Sequence, residues 1–330
     1  MPFPIHRLRR LRRTPGLRRL VTETRLHADD LVSPLFVAAE DNVRRPLQAL
    51  PGVDLLSGRH LTEEARALEA AGVPAVLLFG VPLDSDKDDG ATAAWDPRGC
   101  IPRAVRDLKR AAPGLVVITD LCLCEYTRNG HCGLLKNGEI DNDLTLEAIR
   151  KAAVAQAEAG ADIVAPSGMM DGAVRAIRGA LDGAGYDGVL TMPYSAKFAS
   201  ALYGPFKEAT HSAPAESKHA THQLDVANAR QALLEIGQDV EEGADIVIVK
   251  PALTSLDIIA TARREFDVPV AAYNVSGEYN MILAAAGGDP QARNRLALEA
   301  LTCIKRAGAD LIITYFAREV AGALRTRTVL

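Results

Sequence analysis

Short runs of β-branched and apolar residues recur along the chain, separated by longer segments in which apolar positions return every three or four residues. The runs are LVSPLFVA (31–38), PAVLLFG (74–80), GLVVITD (114–120), DIVAP (162–166), GVLTMPY (188–194), DIVIVKP (245–251), VPVAAYN (268–274) and DLIITYF (310–316). They lack polar–apolar alternation, which predicts strands buried on both faces. Segments 61–72, 145–160, 225–243 and 294–308 are rich in alanine and charge with helical spacing, and glycines such as Gly72, Gly160 and Gly243 stand where helices stop before a strand begins. Strand and helix therefore alternate. Eight such units predict a parallel sheet closed into a (β/α)8 TIM barrel, with an open doubly wound sheet as the alternative.

A barrel of this kind places chemistry at the C-terminal ends of its strands. Polar residues fall there: Asp120 ends the third run, Ser167 follows the fourth, Lys197 the fifth, Lys250 closes the sixth, Ser276 follows the seventh and Tyr315 ends the eighth. Scattered polar residues on a binding scaffold would show no such order.

Composition narrows the setting. With 330 residues, 48% hydrophobic and 24% charged, the chain is long enough for one large buried core and is not disordered as a whole. The formal charge of −4 gives no general bias toward nucleic acid, although seven arginines (Arg7, Arg9, Arg10, Arg12, Arg13, Arg18, Arg19) crowd the first twenty residues. This basic segment reads as a solvated arm that packs on a neighbouring subunit; an organellar transit peptide or a nucleic-acid tail are the alternatives. No apolar stretch is long enough for a membrane span. The expected organisation is a basic N-terminal arm over residues 1–28 and a catalytic barrel over 29–330. Three of the five cysteines fall within one eleven-residue window, which suits reduced thiols on a metal better than disulfides, and points to a reducing cytoplasm.

That window, TDLCLCEYTRNGHCG (119–133), offers three soft ligands in Cys122, Cys124 and Cys132. Three protein ligands leave a fourth position for water or substrate, as in a catalytic zinc site. His131 is either a further ligand or a neighbour, and the triplet could also be buried small apolar residues. The second constellation is Lys197 in MPYSAKFASALYGPF and Lys250 in DIVIVKPALTSLDII. A lysine after four apolar residues at a strand end must reach a cavity or a carboxylate, because a buried ammonium is costly. Two lysines in one cavity would depress each other's pKa and yield the neutral amine that forms a Schiff base with a ketone. A salt-bridged or phosphate-binding lysine is the plainer alternative. The third is VAPSGMMDG (164–172) with YNVSGEYNM (273–281), where Ser167 and Ser276 on glycine-containing turns could hold a carboxylate. Met169 and Met170 read as core filler and Asp171 as a helix N-cap.

Taken together, D-x-C-L-C-x-Y-T-x-x-G-H-C-G, S-A-K-F-A-S-x-x-Y-G-P-F, V-K-P and V-S-G-E-Y resemble, in order, the motifs of the porphobilinogen synthase (5-aminolevulinate dehydratase) family, from about residue 5 to the C-terminus. The resemblance implies a barrel with an extended N-terminal arm, a homo-octamer built from arm-exchanging dimers, and condensation of two 5-aminolevulinate molecules to a pyrrole through two lysine Schiff bases. Lys250 would hold the first substrate and Lys197 the second, next to Zn2+ on the cysteine triplet, with Asp120 and Ser167 among the catalytic groups. Ser276 and Tyr315 would meet the first carboxylate. Lys207, His219 and Gln223, in a lid of roughly residues 203–224, would meet the second. Glu235 matches a position that supports an activating Mg2+ between subunits in some members. The lid departs from the family pattern: Lys207 and His219 replace cations that are normally arginine, or arginine or lysine, His222 replaces a tyrosine, and SGMMDGA (167–173) replaces S-D-M-M-D-G-R. These departures leave two further readings, a paralogue that takes a different second substrate and a catalytically impaired homologue.

Overall fold

The computed structural model describes residues 6–210 and 221–325. Eight strand positions run parallel: β1 (Leu31–Ala38), β2 (Ala75–Val81), β3 (Val116–Leu121), β4 (Ile163–Pro166), β5 (in two pieces, Leu190–Thr191 and Ala196–Lys197), β6 (Val247–Lys250), β7 (Val270–Asn274) and β8 (Leu311–Thr314). Each run in the sequence becomes one strand, although the hydrogen-bonded part is shorter than most of the runs. Neighbours pair in order, and β1 pairs with β8 as well as β2.

Closure depends on β5. Its Leu190, Met192 and Tyr194 N–H groups donate to Asp162, Val164 and Pro166 on one side. On the other side Thr191 and Pro193 accept from Ile246 and Ile248, and Phe198 donates to Lys250. The ladder thus passes across Pro193, which lacks an N–H but still offers its carbonyl. The sheet has no free edge at this point, and the closed (β/α)8 barrel stands in place of the open-sheet alternative.

Helices Gly58–Ala71, Asn142–Glu158, Ala229–Glu241 and Pro290–Ala307 occupy the segments expected of them. Two begin on side-chain caps: Asp141 accepts from the Leu144 N–H and Asp289 from the Gln291 N–H, each at 2.9 Å, satisfying donors that the helix itself leaves open. Gly72 ends the first of them at φ 85°, a conformation that favours glycine. Three local expectations change. Asp171 is not a cap; Gly172 at φ 78° precedes helix Ala173–Gly183, and Asp171 instead donates its N–H to Asn142. Ser276 is not on a turn but opens helix Ser276–Ala286. An unanticipated hairpin, Arg44–Pro46 with Asp54–Leu56, extends the sheet beside the end of β1.

The strands are buried along almost their whole length, and with the inner faces of the helices they form the main core. Before β1, the chain forms a 3-10 turn at Leu8–Arg12 and a short helix at Pro15–Leu20, with Leu8, Leu11 and Leu20 exposed. No helix among the described residues is long and apolar enough to cross a membrane.

Candidate active site

The C-terminal ends of the strands bring the two lysines to one place. Ala196–Lys197 pairs in register with Val249–Lys250, so the lysines are direct cross-strand partners, and parallel pairing sends both side chains to the same face. Both are buried. Their ammonium nitrogens lie over the same Tyr194 ring, 5.7 Å (Lys197) and 5.1 Å (Lys250) from its centroid.

Lys250 Nζ sits among aromatic rings, 4.7 Å from the centroids of Tyr203 and Tyr273 and 5.1 Å from that of Phe206. Burial there, helped by the charge of Lys197, brings its pKa down to about 7. Lys197 differs. Burial favours its neutral form, but the sulfurs of Cys132, Cys122 and Cys124 and the carboxylate of Asp120 override that and raise its pKa. Its Nζ also donates to the Ser167 carbonyl at 2.5 Å.

Asp120 lies beside the pair. Burial and the sulfur of Cys122 push its pKa up to about 7, against the lowering influence of Lys197, Lys250 and a hydrogen bond from the Ser167 hydroxyl. A carboxyl poised near 7 can give or take a proton at neutral pH. Cys122, Cys124 and Cys132 place their sulfurs within 4.8 Å of one another, the one group of three such ligands among the described residues. Cys122 and Cys124 are 3.2 Å apart. The crowding raises the pKa of Cys124, whose neighbours bond to it and repel its charge, while the hydrogen bonds of those neighbours lower that of Cys132. Soft donors at this spacing offer three corners of a tetrahedron, and His131 is not part of the group. Cys100 and Cys303 lie elsewhere, on helices Cys100–Ala111 and Pro290–Ala307.

Around the lysines stand the remaining groups. Ser276 Oγ donates to the Leu202 carbonyl at 3.1 Å and accepts from the Phe206 N–H at 3.2 Å, while the Tyr315 and Tyr273 hydroxyls meet at 3.1 Å. Lys207, on helix Gly204–Thr210, is half-buried, and its pKa is lowered by desolvation, with Lys197 contributing in the same sense. Gln223 is buried, next to Leu224, whose N–H donates to the Lys197 carbonyl at 3.0 Å. Adjacent His222 is held neutral, its pKa brought down to about 4 by burial and by Lys197. His219 lies outside the described residues. Glu235 lies on helix Ala229–Glu241. It borders a small cavity with Asp239, Met170 and Ser195, and burial together with Asp171 and Glu242 raises its pKa.

Several participants were not singled out in the sequence: Tyr194, Tyr203, Phe206 and Tyr273 around Lys250, and buried Glu125 beside the cysteines, whose carboxyl is raised by burial and by the charges of Cys122 and Asp120. The signal was present. Aromatic residues make up only 5% of the chain, yet three of these four fall within thirteen residues around Lys197.

Fold and site together define a closed (β/α)8 barrel whose mouth holds two adjacent buried lysines bordered by a thiol triplet and a proton-sharing carboxyl. The family model for delta-aminolevulinic acid dehydratase matches residues 5–323. The delta-aminolevulinic acid dehydratase of Synechococcus elongatus is 51% identical over 323 residues, covering 97% of this chain and 98% of that protein. That of Streptomyces coelicolor is 51% identical over 326 residues, with 98% of each covered. The crystal structure of the delta-aminolevulinic acid dehydratase (porphobilinogen synthase) of Toxoplasma gondii, in complex with its reaction product porphobilinogen, matches with a TM-score of 0.93 at 40% identity, covering 96% of this chain and 91% of that one. The chain belongs to the delta-aminolevulinic acid dehydratase family.

Proposed function

We propose that this chain is a hydro-lyase that condenses two 5-aminolevulinate molecules to porphobilinogen with loss of water, by way of Schiff bases on Lys250 and Lys197. The observation that carries the reading is the pair itself, two buried amines side by side at the barrel mouth over one aromatic ring. With a pKa of about 7, roughly half of Lys250 is neutral at pH 7, against a few parts in ten thousand for an ordinary lysine. Its lone pair attacks the ketone carbon of the first substrate, a C–N bond forms, and the carbonyl oxygen leaves as water after protonation. Asp120, shared between the lysines, is placed to carry that proton, and Ser167 steadies it. Ser276 and Tyr315 take the first carboxylate, Ser276 by giving up its present bonds to Leu202 and Phe206.

The cysteine sulfurs fit a zinc ion. When bound, it would supply Lewis acidity beside Lys197 and absorb the thiolate charge that otherwise keeps that ammonium protonated. Lys207 and Gln223 flank the Lys197 side and take the second carboxylate, together with His219. Full-length identity to relatives named for delta-aminolevulinic acid dehydratase weighs against a redirected second substrate and an impaired homologue. In this reading residues 1–28 form an arm exchanged between subunits of a homo-octamer, 29–330 form the catalytic barrel, and Glu235 lies where an activating Mg2+ would act. The enzyme works in the cytoplasm.

The test is direct. Incubation with 5-aminolevulinate should yield porphobilinogen, and reduction with cyanoborohydride should leave adducts on Lys250 and Lys197 in peptide maps. Lys250→Ala should abolish product; product formation by that variant at the unaltered rate would refute the assignment.

A further inference from the structure

Glu278 is the third residue of helix Ser276–Ala286 and is only 1% exposed. One carboxylate oxygen accepts from the Val275 N–H and the Asn274 side-chain amide, each at 2.9 Å. The other accepts from the Leu253 N–H at 2.7 Å, and the neighbouring Thr254 N–H also favours the charged carboxylate. All four donors are neutral. Beyond Asn274 the bonding continues: its Oδ1 accepts from the Thr314 hydroxyl at 3.0 Å, and that hydroxyl accepts from the Phe316 N–H at 3.2 Å. One carboxylate therefore ties together the segments just after β6, β7 and β8, beside Lys250, Ser276 and Tyr315.

Helix capping accounts for only part of this. The bond from the Val275 N–H is the N3 half of a capping box, which a glutamine would also make. Leu253 is 25 residues distant, in the loop after Lys250. A neutral amide has one acceptor oxygen for four donors, and its own N–H groups would face them. Ionised carboxylate is costly to bury unless its lone pairs are filled, and here they are filled by groups from several elements.

We propose that Glu278 is a positioning residue: it fixes the loop after β6, and with it Lys250, in register with Ser276 and Tyr315, so that amine and hydroxyls meet one substrate. The proposal rests on the reading of those three residues as the first substrate's site. Glu278 itself reaches no substrate. Burial raises its pKa to about 7, so the tie is at full strength above neutrality and weakens as the carboxylate is protonated below it.

The experiment compares the full-length protein with Glu278→Gln and Thr314→Val. In each, the 5-aminolevulinate concentration giving half-maximal cyanoborohydride adduct on Lys250 is measured, alongside KM, kcat, zinc content and thermal unfolding. Glu278→Gln should raise the half-saturation and KM by about tenfold or more, with zinc content unchanged. Thr314→Val, which cuts the network one step away, should raise both by about two- to tenfold. A purely structural cap would lower the unfolding temperature and leave the half-saturation of folded protein unchanged, and that result would overturn the proposal. If Glu278→Gln does not fold, an unchanged half-saturation in Thr314→Val overturns it instead. Absence of a Lys250 adduct in the unaltered protein would take down the underlying site reading and the proposal with it, and is recognised before any variant is made.

Discussion

Phe206→Ala tests whether the aromatic surround sets the reactivity of Lys250. The Phe206 ring lies 5.1 Å from Lys250 Nζ and packs edge-on against Phe79, with centroids 4.8 Å apart. Deleting it has two opposed effects on the amine. The face of the ring attracts the ammonium, worth about 0.5–2 kcal/mol, so its loss alone would lower the pKa by about 0.4–1.5 units. The ring also excludes water, and complete desolvation shifts a buried lysine by up to about 3–5 units. Desolvation is the largest influence on Lys250, and Phe206 is the one partly exposed ring of the four, so its removal should admit solvent. The second effect should win by about one unit, moving the pKa from about 7 toward about 8. Protonation removes the nucleophile, so adduct formation falls as pH drops through the pKa. The expected result is an acid limb displaced upward, with rates at about pH 6 reduced roughly tenfold and rates at about pH 9 almost unchanged. Initial rates of cyanoborohydride-trapped adduct on Lys250, measured across pH with Phe206→Leu as a control, supply the curve. A midpoint still near 7 with a uniform loss at every pH would reduce Phe206 to packing. A downward shift would show that ring–cation attraction dominates, and the desolvation account would be wrong.

Three further outcomes are expected. Cys124→Ala should reduce zinc, measured by atomic emission, from near one per chain to below about a tenth, whereas Cys303→Ala should leave it unchanged. Lys207→Ala should raise the half-saturation for turnover by about ten- to hundredfold while the Lys250 adduct still forms normally, because one charge-assisted bond to the second carboxylate is lost; equal weakening of both would place Lys207 on the wrong side. Asp120→Asn cannot exchange a proton, and kcat should fall by about a hundred- to ten-thousandfold with the metal retained, as read by single-turnover product formation.

Much of the fold was legible because a parallel barrel buries its strands on both faces, so each strand appears as an uninterrupted apolar run with a helix after it. The lysines and Asp120 were legible for a related reason: charge at the end of such a run has few places to go. Strand five was harder to read. Pro193 and the polar Ser195 end the apolar run before Lys197, yet the pairing of residues 196–197 continues because β6 supplies the donors and acceptors. Glu278 was hidden because a glutamate three residues into a helix looks like an ordinary capping residue; only the loop from β6, 25 residues away, gives it a second partner. The aromatic surround of Lys250 was legible only in part: Tyr194, Tyr203 and Phe206 cluster around Lys197 in sequence, but nothing local links them to Tyr273 or to Lys250.

The attachment of the lid has a consequence for how this barrel could be altered. Ala199 donates to the Leu224 carbonyl at 2.7 Å, and Leu224 donates in turn to the Lys197 carbonyl. The excursion therefore starts and finishes at the same point on β5, like a loop of cord knotted at its base. Its first part is also tied elsewhere: the Tyr203 hydroxyl donates to the Lys250 carbonyl and the Phe206 N–H to the Ser276 hydroxyl. Replacing the whole segment would also strip Tyr203 and Phe206 from around Lys250, so a change of second-substrate specificity that spares the amine is confined to single positions such as Lys207 and Gln223.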